Sequence, residues 1–371
     1  MTFAQLLRSP NRSRSRTIGQ FAMLLESMDD HQLKKLAGRS EMITRRFFGR
    51  TMRLFAPLYL SNECINNCRY CGFSRDNQIL RVTLSAEEIE CEARHLIKNG
   101  FRHILLVSGE HPKFVSNHYL QEVVKRLVPM IASVSLEVGP METEDYQPLV
   151  ALGAEGLVVY QETYEPEIYA ELHTAGPKRN FDWRLECPER AYAAGFRRIG
   201  IAALFGLREW RSEAITLAEH LEFLLRKCWR AQLTVGLPRL RPAAGGFQPQ
   251  FVFSDRELLQ LLCAFRVTFP QVGIVLSTRE SANFRNFLMP LGVTMMSAGS
   301  RTEPGGYTGQ GTKSLHWTVK GRITHANCDG SKAEGQFEIE DDRSPQEVAK
   351  ALRLHGLEPV WKDWDSAILS V

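Results

Sequence analysis

The chain has 371 residues, of which 44% are hydrophobic and 24% charged, and its formal net charge is +4. These values are ordinary for a globular protein, and no apolar run approaches the roughly 18 to 20 residues of a membrane-spanning helix. The polar, arginine-rich N-terminus lacks the apolar core of a secretory signal. We therefore expect a cytoplasmic protein with no membrane partner.

The charge pattern and the cysteines narrow the class of protein further. Basic residues are dispersed except in the first ~50 positions, so a solvated basic extension explains them better than a nucleic-acid partner, and we expect none. Eight cysteines in a large chain without a secretory signal indicate reduced thiols. Three of the eight lie within eight positions, which favours a metal site over disulfides.

The periodicity along the chain predicts one α/β architecture. Residues 1–50 read as a helical N-terminal extension, because apolar residues recur there at helical spacing. Eight strand-like runs follow, and helical stretches separate them: "LFAPLYLS", "HILLVSG", "SVSLEVG", "GLVVYQE", "RIGIAAL", "LTVGLP", "GIVLST" and "VTMMSAG". This alternation predicts a parallel (β/α)8 barrel of the TIM type over residues 51–301, with its chemistry at the carboxyl ends of the strands.

The predicted helices and the C-terminal region complete this arrangement. One helix opens at Ser85 with a capping box and ends at Gly100. The others cover roughly 115–127, 144–152, 165–172, 186–194, 211–229, 255–268 and 280–289. Residues 302–371 form a C-terminal region. It begins with a Gly-rich loop or small hairpin to about residue 340, continues with a helix at about 345–355, and ends in an aromatic tail that we expect to pack on the barrel wall.

The spacing of Cys64, Cys68 and Cys71 predicts an iron-sulfur cluster, because such clusters are held by thiolates. A 4Fe-4S cluster needs four ligands and this loop offers three, so one iron stays open for the amino and carboxylate groups of S-adenosylmethionine (SAM). An electron from the cluster can then cleave the sulfonium to methionine and a 5′-deoxyadenosyl radical. A zinc site lacking one ligand, or three unconnected thiols, are the alternatives. The position after the first strand and the aromatic Tyr70 favour the cluster.

The segment "CINNCRYC" resembles the radical SAM signature. Longer blocks resemble the 2-iminoacetate synthase family, the tyrosine lyases of thiamine-thiazole biosynthesis: "APLYLSNECINNCRYCGFSR", "VYQETYEPEIY", "GLPRLRPAAGG", "LSTRES", "SAGSRTEPGGY" and "PVWKDWD". The likeness runs over residues ~50–310 and ~336–366. Several blocks also occur in a tyrosine lyase of diiron-hydrogenase maturation and in a tryptophan lyase of thiopeptide biosynthesis.

Two features favour the thiazole enzyme among these relatives. The hydrogenase-maturation lyase carries three more cysteines for a second cluster, whereas here only Cys328 follows Cys263, so one cluster per chain is expected. The tail "WKDWD" argues against the tryptophan lyase. Residues about 310–335 look like an insertion, which we expect to be a surface loop and not a metal site. This insertion carries His316, His325, Cys328 and Asp329.

The resemblance implies a SAM site at the ends of the first strands. Residues 108–110 stand where relatives have a Gly-Gly-Glu-like strand, which pairs with the amino group of SAM; Glu110 is the acidic residue of this segment. Glu162 of "YQET" matches the acid that binds the ribose hydroxyls, and Arg184 resembles the arginine that holds the SAM carboxylate. The residues assigned to SAM are Tyr70, Ser108, Gly109, Glu110, Glu162 and Arg184.

The substrate must be held by its ammonium and carboxylate groups, so a cationic fork is expected beside the radical source. Arg279 and Arg301 are the candidates, although structural pairing with Glu137, Glu162 or Glu280 is an alternative for any single arginine. Tyr59 matches a substrate-contacting tyrosine of the tryptophan lyase. The residues assigned to the substrate are Tyr59, Ser277, Arg279, Ser297 and Arg301.

By this resemblance, the radical removes a hydrogen atom from the amino group of tyrosine, and Cα–Cβ scission gives 2-iminoacetate and p-cresol. No residue is assigned as a general base. Expected partners are thiazole synthase, which consumes the unstable imine, and an electron donor such as flavodoxin or ferredoxin. A lyase or rearranging enzyme for tryptophan or another aromatic amino acid is the alternative. A zinc-binding nucleic-acid protein is a third reading and predicts strongly salt-dependent binding.

Overall fold

The core of the fold is a closed barrel of eight parallel strands. The computed structural model describes residues 2–9, 13–319, 322–324 and 331–361. The barrel strands are β1 (Thr51–Ser61), β2 (His103–Ser108), β3 (Ser133–Glu137), β4 (Gly156–Glu162), β5 (Arg198–Ala203), β6 (Gln232–Gly236), β7 (Gly273–Leu276) and β8 (Met295–Ser297). They pair in chain order and β8 pairs back onto β1. The predicted (β/α)8 barrel is confirmed, strand by strand.

The helices follow the predicted alternation. They are α1 (Phe3–Leu7), α2 (Arg16–Met23), α3 (Asp30–Phe48), α4 (Ala86–Lys98), α5 (Asn117–Leu127), α6 (Thr143–Ala151), α7 (Pro166–Leu172), α8 (Phe181–Leu185), α9 (Cys187–Ala194), α10 (Trp210–Lys227), α11 (Asp255–Thr268), α12 (Ala282–Leu288) and α13 (Pro345–Leu354). Each predicted helix is present, and the capping box at Ser85 is formed with Glu88. The short α8 was not predicted. No helix in the described ranges is both long and apolar enough to cross a bilayer.

Side chains alternate between the two faces of the barrel strands, as the strand period of two requires. On β1, Phe55 and Tyr59 face the barrel interior, where they line a cavity. Leu54 and Leu58 point outward and belong to the main buried core between strands and helices. The polar residues of the barrel mouth therefore stand on a wall that is held in place by an apolar layer behind it.

The N-terminal extension is helical, as predicted, and packs on the barrel. Its helix α3 lies against α11. Phe21 of α2 is fully buried, and its ring lies 4.8 Å from the ring of Phe265 and 6.3 Å from that of Phe269. The extension thus shares the buried core of the barrel.

The end of the described chain returns to the bottom of the barrel. After α13, a short strand β9 (Glu358–Val360) pairs in parallel with the first residues of β1. The Trp361 ring then lies 5.3 Å from the Phe101 ring, so this part of the tail packs on the barrel wall as predicted. Residues 317–319 and 322–324 pair as the predicted hairpin. His325, Cys328, Asp329 and the tail from residue 362 onward lie outside the described residues.

One part of the predicted loop has a position that the sequence did not indicate. Residues 334–341, here called the mouth strap, cross the carboxyl end of the barrel. The backbone N–H of Gln336 donates to the Thr302 carbonyl at 2.9 Å, and that of Glu338 donates to the Pro242 carbonyl at 2.9 Å. The backbone N–H of Glu340 donates to Thr278 at 3.0 Å. The strap therefore joins loops that follow three different strands and partly closes the mouth.

Candidate active site at the mouth of the barrel

A cavity of about 100 Å³ lies at the carboxyl ends of the strands, beneath the mouth strap. Active sites of this fold lie at the same end. Seven of the predicted site residues line it: Tyr59, Tyr70, Cys71, Glu162, Ser277, Arg279 and Ser297. Residues from distant parts of the sequence therefore meet at one place, as the predicted barrel requires.

The cysteine loop follows β1 and is fixed at both ends. Its short strand Asn67–Cys68 pairs in antiparallel fashion with His173–Ala175, which follow α7. The backbone N–H of Ile65 donates to the Glu110 carbonyl at 2.8 Å. The three thiols of this loop are all free of disulfides. The loop is therefore held by backbone contacts that leave its sulfur atoms available.

The three thiols lie close enough to influence one another's ionisation. Burial raises the pKa of Cys68, and the charges of Cys71 and Cys64 raise it further. Burial likewise raises the pKa of Cys71 to about 11, and Cys64 again adds to the effect. The donor set, three clustered thiols on one loop, fits a 4Fe-4S cluster with one iron left for another ligand. Binding of the cluster would release the thiol protons.

Gly109 allows β2 to approach the cysteine loop closely. A Cβ atom at this position would overlap the Glu63 carbonyl oxygen and lie 3.2 Å from Cys64 Cβ. The neighbouring Ser108 does not line the mouth cavity, and its buried hydroxyl has no hydrogen-bond partner among the described residues. Glu110 accepts a hydrogen bond from Asn66 Nδ2 at 2.6 Å.

A polar network joins the cysteine loop to β4. The Asn66 side-chain oxygen accepts the backbone N–H of Lys178 at 2.9 Å. The Lys178 ammonium donates to Glu162 Oε1 at 2.7 Å and lies 5.6 Å from the centre of the Tyr70 ring. Arg184 donates to the Tyr160 carbonyl at 2.6 Å, and its guanidinium lies 3.7 Å from Glu162. Glu162 thus has two cationic neighbours.

The backbone is strained at Glu162. It has φ +73°, the one positive φ of a residue other than glycine in the described ranges. The pairing of β4 with β5 shifts register between Tyr160 and Glu162, and that of β1 with β2 shifts between Tyr59 and Ser61. Bulges and strained residues concentrate at barrel rims and active sites because they redirect side chains. Both irregularities stand at this mouth.

Tyr70 is held by a neutral histidine. Burial lowers the pKa of His173 to about 2, so its ring carries no proton on one nitrogen. Nδ1 donates to the Tyr169 carbonyl at 2.7 Å, which leaves Nε2 to accept the Tyr70 hydroxyl at 2.8 Å. Tyr70, which stands between Cys68 and Cys71 in the sequence, is therefore held in place by His173.

Four of the five predicted substrate residues, Tyr59, Ser277, Arg279 and Ser297, line the cavity. The Arg279 guanidinium lies 3.4 Å from the centre of the Phe337 ring, which belongs to the mouth strap. The backbone N–H of Thr278 donates to Ser297 Oγ at 3.1 Å. The Tyr59 hydroxyl donates to Gln336 Oε1 at 2.8 Å. The strap therefore contacts two of the residues that were assigned to the substrate.

Arg301 is not brought to this cavity. Its side chain is exposed and lines a separate surface depression with Glu303 and Lys332. The chain turns outward after β8, so an arginine four residues beyond Ser297 no longer faces the barrel interior. Two other arginines near the mouth, Arg239 and Arg241 after β6, both form ion pairs with Glu280.

The expectation of a surface loop at His316 was wrong. His316 is 7% exposed, and its Nε2 lies 2.7 Å from Glu63 Oε1. Thr318 donates to the same carboxylate oxygen at 2.5 Å. The backbone N–H of Arg81 also donates to the His316 carbonyl at 2.8 Å. This part of the apparent insertion packs against the residue that precedes Cys64, so it buttresses the cysteine loop.

Sequence reasoning missed four residues of this site. Lys178 stands in a short turn, and Gln336 and Phe337 stand in a Gly-rich stretch, so no local pattern marks them. Glu137 gave a signal, because it ends a predicted strand, but it was not assigned to SAM or to the substrate. The geometry places it in the cavity wall.

Models of two protein families match the chain. The radical SAM superfamily matches residues 58–221, and the Biotin and Thiamin Synthesis associated domain matches residues 236–358. The first covers the cysteine loop and runs from β1 through β5, and the second covers β7, β8 and the mouth strap. The fold and the cysteine loop therefore define a radical SAM enzyme, with a 4Fe-4S cluster and SAM as cofactors.

A curated 2-iminoacetate synthase of Escherichia coli (strain K12) is 40% identical over 366 residues, which are 98% of this chain and 92% of that protein. The chain belongs to the 2-iminoacetate synthase family, and it is a radical SAM tyrosine lyase. The hydrogenase maturase HydG of Carboxydothermus hydrogenoformans superposes with a TM-score of 0.83 at 33% identity, over 97% of this chain and 79% of that one. Methylornithine synthase, at 20% identity and a TM-score of 0.74 over 99% of each chain, shares the fold.

Proposed function

We propose that the mouth cavity brings a 4Fe-4S cluster, SAM and tyrosine together, so that the Cα–Cβ bond of tyrosine is cleaved to 2-iminoacetate and p-cresol. One observation carries this proposal: Cys71 and Arg279 line the same cavity, one from the cysteine loop and the other from the loop after β7. A thiolate for the cluster and a cation for an amino-acid carboxylate thus share one small space.

Cys64, Cys68 and Cys71 hold the single cluster of the chain in this proposal. When bound, the cluster and SAM supply the radical that removes a hydrogen atom from the amino group of tyrosine. The protein contributes position and exclusion of water. Tyr59, Tyr70 and residues of the mouth strap line the cavity, so they limit the access of bulk water to it.

SAM is assigned to the side of the cavity next to the cysteine loop. Glu162 would accept hydrogen bonds from the ribose hydroxyls, and Lys178 and Arg184 form ion pairs with it. Arg184 or Lys178 would meet the SAM carboxylate, and Glu110 its amino group. Tyr70 lines the cavity beside Cys71, and Gly109 lets β2 lie close to the cysteine loop. Ser108 stays assigned to SAM, because its buried hydroxyl has no hydrogen-bond partner among the described residues.

Tyrosine is assigned to the opposite side. Arg279 would bind the substrate carboxylate, with the hydroxyls of Ser277 and Ser297 beside it and Tyr59 against the ring. Arg301 has no place in this arrangement, because its side chain is directed to the surface.

The partners follow from the chemistry of the reaction. The imine product hydrolyses in water, so a thiazole synthase that consumes it on release is the proposed protein partner. A low-potential donor such as flavodoxin or ferredoxin would reduce the cluster. Reduced thiols and an oxygen-sensitive cluster suit the cytoplasm, where we place the enzyme.

The test is anaerobic reconstitution with iron and sulfide, followed by reduction in the presence of SAM and tyrosine. We expect p-cresol, glyoxylate from the hydrolysed imine, and 5′-deoxyadenosine. Parallel reactions with tryptophan check the alternative substrate. Formation of 5′-deoxyadenosine without p-cresol would show that the cofactors are right and the substrate is wrong.

A further inference from the structure

The carboxylates around the mouth differ in their partners. Glu110 accepts from Asn66 at 2.6 Å, and Glu162 accepts from Lys178 at 2.7 Å. Glu280 forms ion pairs with two arginines. Glu137 alone of these four carboxylates has no hydrogen bond or ion pair within the described ranges, although it is partly buried in the cavity wall. A buried carboxylate without a partner is costly unless a ligand supplies one.

Glu137 stands opposite a cation in the same cavity. It is the last residue of β3, and Arg279 follows β7 on the other side of the barrel. Both side chains line the cavity, together with Tyr59 and Tyr160. Arg279 interacts electrostatically with Glu137, but no hydrogen bond joins the two, which leaves room between them for a small ligand.

The head group of an amino acid has matching charges. Its carboxylate and ammonium are attached to the same carbon, so a site for the zwitterion needs a cation and an anion within a few ångströms of each other. We propose that Glu137 binds the α-ammonium group of the amino-acid substrate while Arg279 binds its carboxylate. This inference rests on the proposed function of the cavity, and it fixes the nitrogen atom from which hydrogen is removed.

The electrostatics of the empty cavity agree with this role. Burial raises the pKa of Glu137 to about 7, and the negative charge of Glu162 raises it further, while Arg279, Arg184 and Lys178 oppose the shift. A carboxyl in this environment gains from a bound cation, because the ammonium group would compensate the burial of its charge. Glu162 and Glu280 already have cationic partners, and Glu110 accepts a hydrogen bond from the Asn66 amide.

The test compares tyrosine with 3-(4-hydroxyphenyl)propanoate, which keeps the phenol and the carboxylate but lacks the ammonium. Dissociation constants are measured by calorimetry on the reconstituted, SAM-loaded enzyme without reductant, so that no turnover occurs. We expect Glu137→Gln to weaken tyrosine binding roughly tenfold to a hundredfold and to leave the analogue within about twofold. Glu137→Asp retains the charge and should restore part of the preference for tyrosine.

The controls separate this role from a loss of structure. Iron content and SAM affinity report whether each variant is loaded, and Glu122→Gln on α5, with a side chain that is 60% exposed, provides the matched surface change. Equal weakening of tyrosine and the analogue by Glu137→Gln, or no weakening of either, would overturn the inference. If the wild-type enzyme makes no p-cresol, the proposed function fails first and the inference fails with it.

Discussion

Gly109 shows how much a single hydrogen in place of a side chain can matter at this site. Because a Cβ there would overlap the Glu63 carbonyl beside Cys64, we expect Gly109→Ala to displace the cysteine loop. Iron and sulfide bound after reconstitution should fall several-fold, and 5′-deoxyadenosine formation should fall with them. Gly19→Ala in α2 is the control, since nothing lies within 4 Å of its added Cβ. Full cluster loading in Gly109→Ala would contradict this account.

At the scale of elements, the mouth strap should couple radical formation to cleavage of the substrate. Phe337→Ala removes the ring that lies against Arg279 and widens the mouth. We expect KM for tyrosine to rise several-fold, because a stacked ring helps to hold the guanidinium in place. The ratio of p-cresol to 5′-deoxyadenosine should fall as water and other hydrogen donors enter. Phe287→Ala, at a ring that is 53% exposed on α12, should change neither quantity.

The contact between α1 and α10 predicts a pH dependence of stability. The His220 ring stacks on Phe3 at 4.5 Å, and burial lowers its pKa to about 3. Because a histidine in the unfolded chain has a pKa near ~6.5, the unfolded state binds more protons between these values. The stability that the protein gains by keeping His220 neutral is therefore complete above about pH 6.5. It is lost as the pH falls toward 3, by up to ~1.4 kcal/mol per pH unit.

We expect His220→Gln to flatten this dependence. The free energy of urea unfolding, measured at pH 7, 6 and 5, should fall less steeply in the variant than in the wild type. His118→Gln on α5 is the control, because that side chain is 84% exposed. Equal slopes for His220→Gln and the wild type would show that His220 is not held neutral by the fold.

For the whole molecule, the main question is whether the helical extension unfolds with the barrel. The division of the chain at residues 50 and 301 stays a prediction, yet Phe21 of the extension is fully buried in the core shared with α11. We expect Phe21→Ala to lower the free energy of unfolding by about 3 to 5 kcal/mol in one transition. Met23→Ala in the same helix, at a side chain that is 67% exposed, should have little effect. A separate early transition would identify the extension as an independent unit.

Much of the molecule could be predicted because its signals are local. The eight barrel strands followed from apolar runs of four to eight residues, and the closed barrel confirmed them. The cysteine loop was marked by spacing within eight positions. Glu162 ends a predicted strand and Arg279 directly follows one, and the carboxyl ends of the strands meet in this fold. The assignment of Arg301 by the same rule was wrong, because this residue stands too far beyond the end of β8.

The sequence by itself determined the class of enzyme, the barrel and the cysteines, because periodicity and motif spacing are properties of short segments. Only the tertiary structure decided which charges are neutralised. The ion pair of Lys178 with Glu162, the strap from Gln336 across the mouth, and the unpaired carboxylate of Glu137 depend on residues that closure of the barrel brings together. The partner of a side chain is set by three-dimensional proximity, which no local pattern in one sequence records.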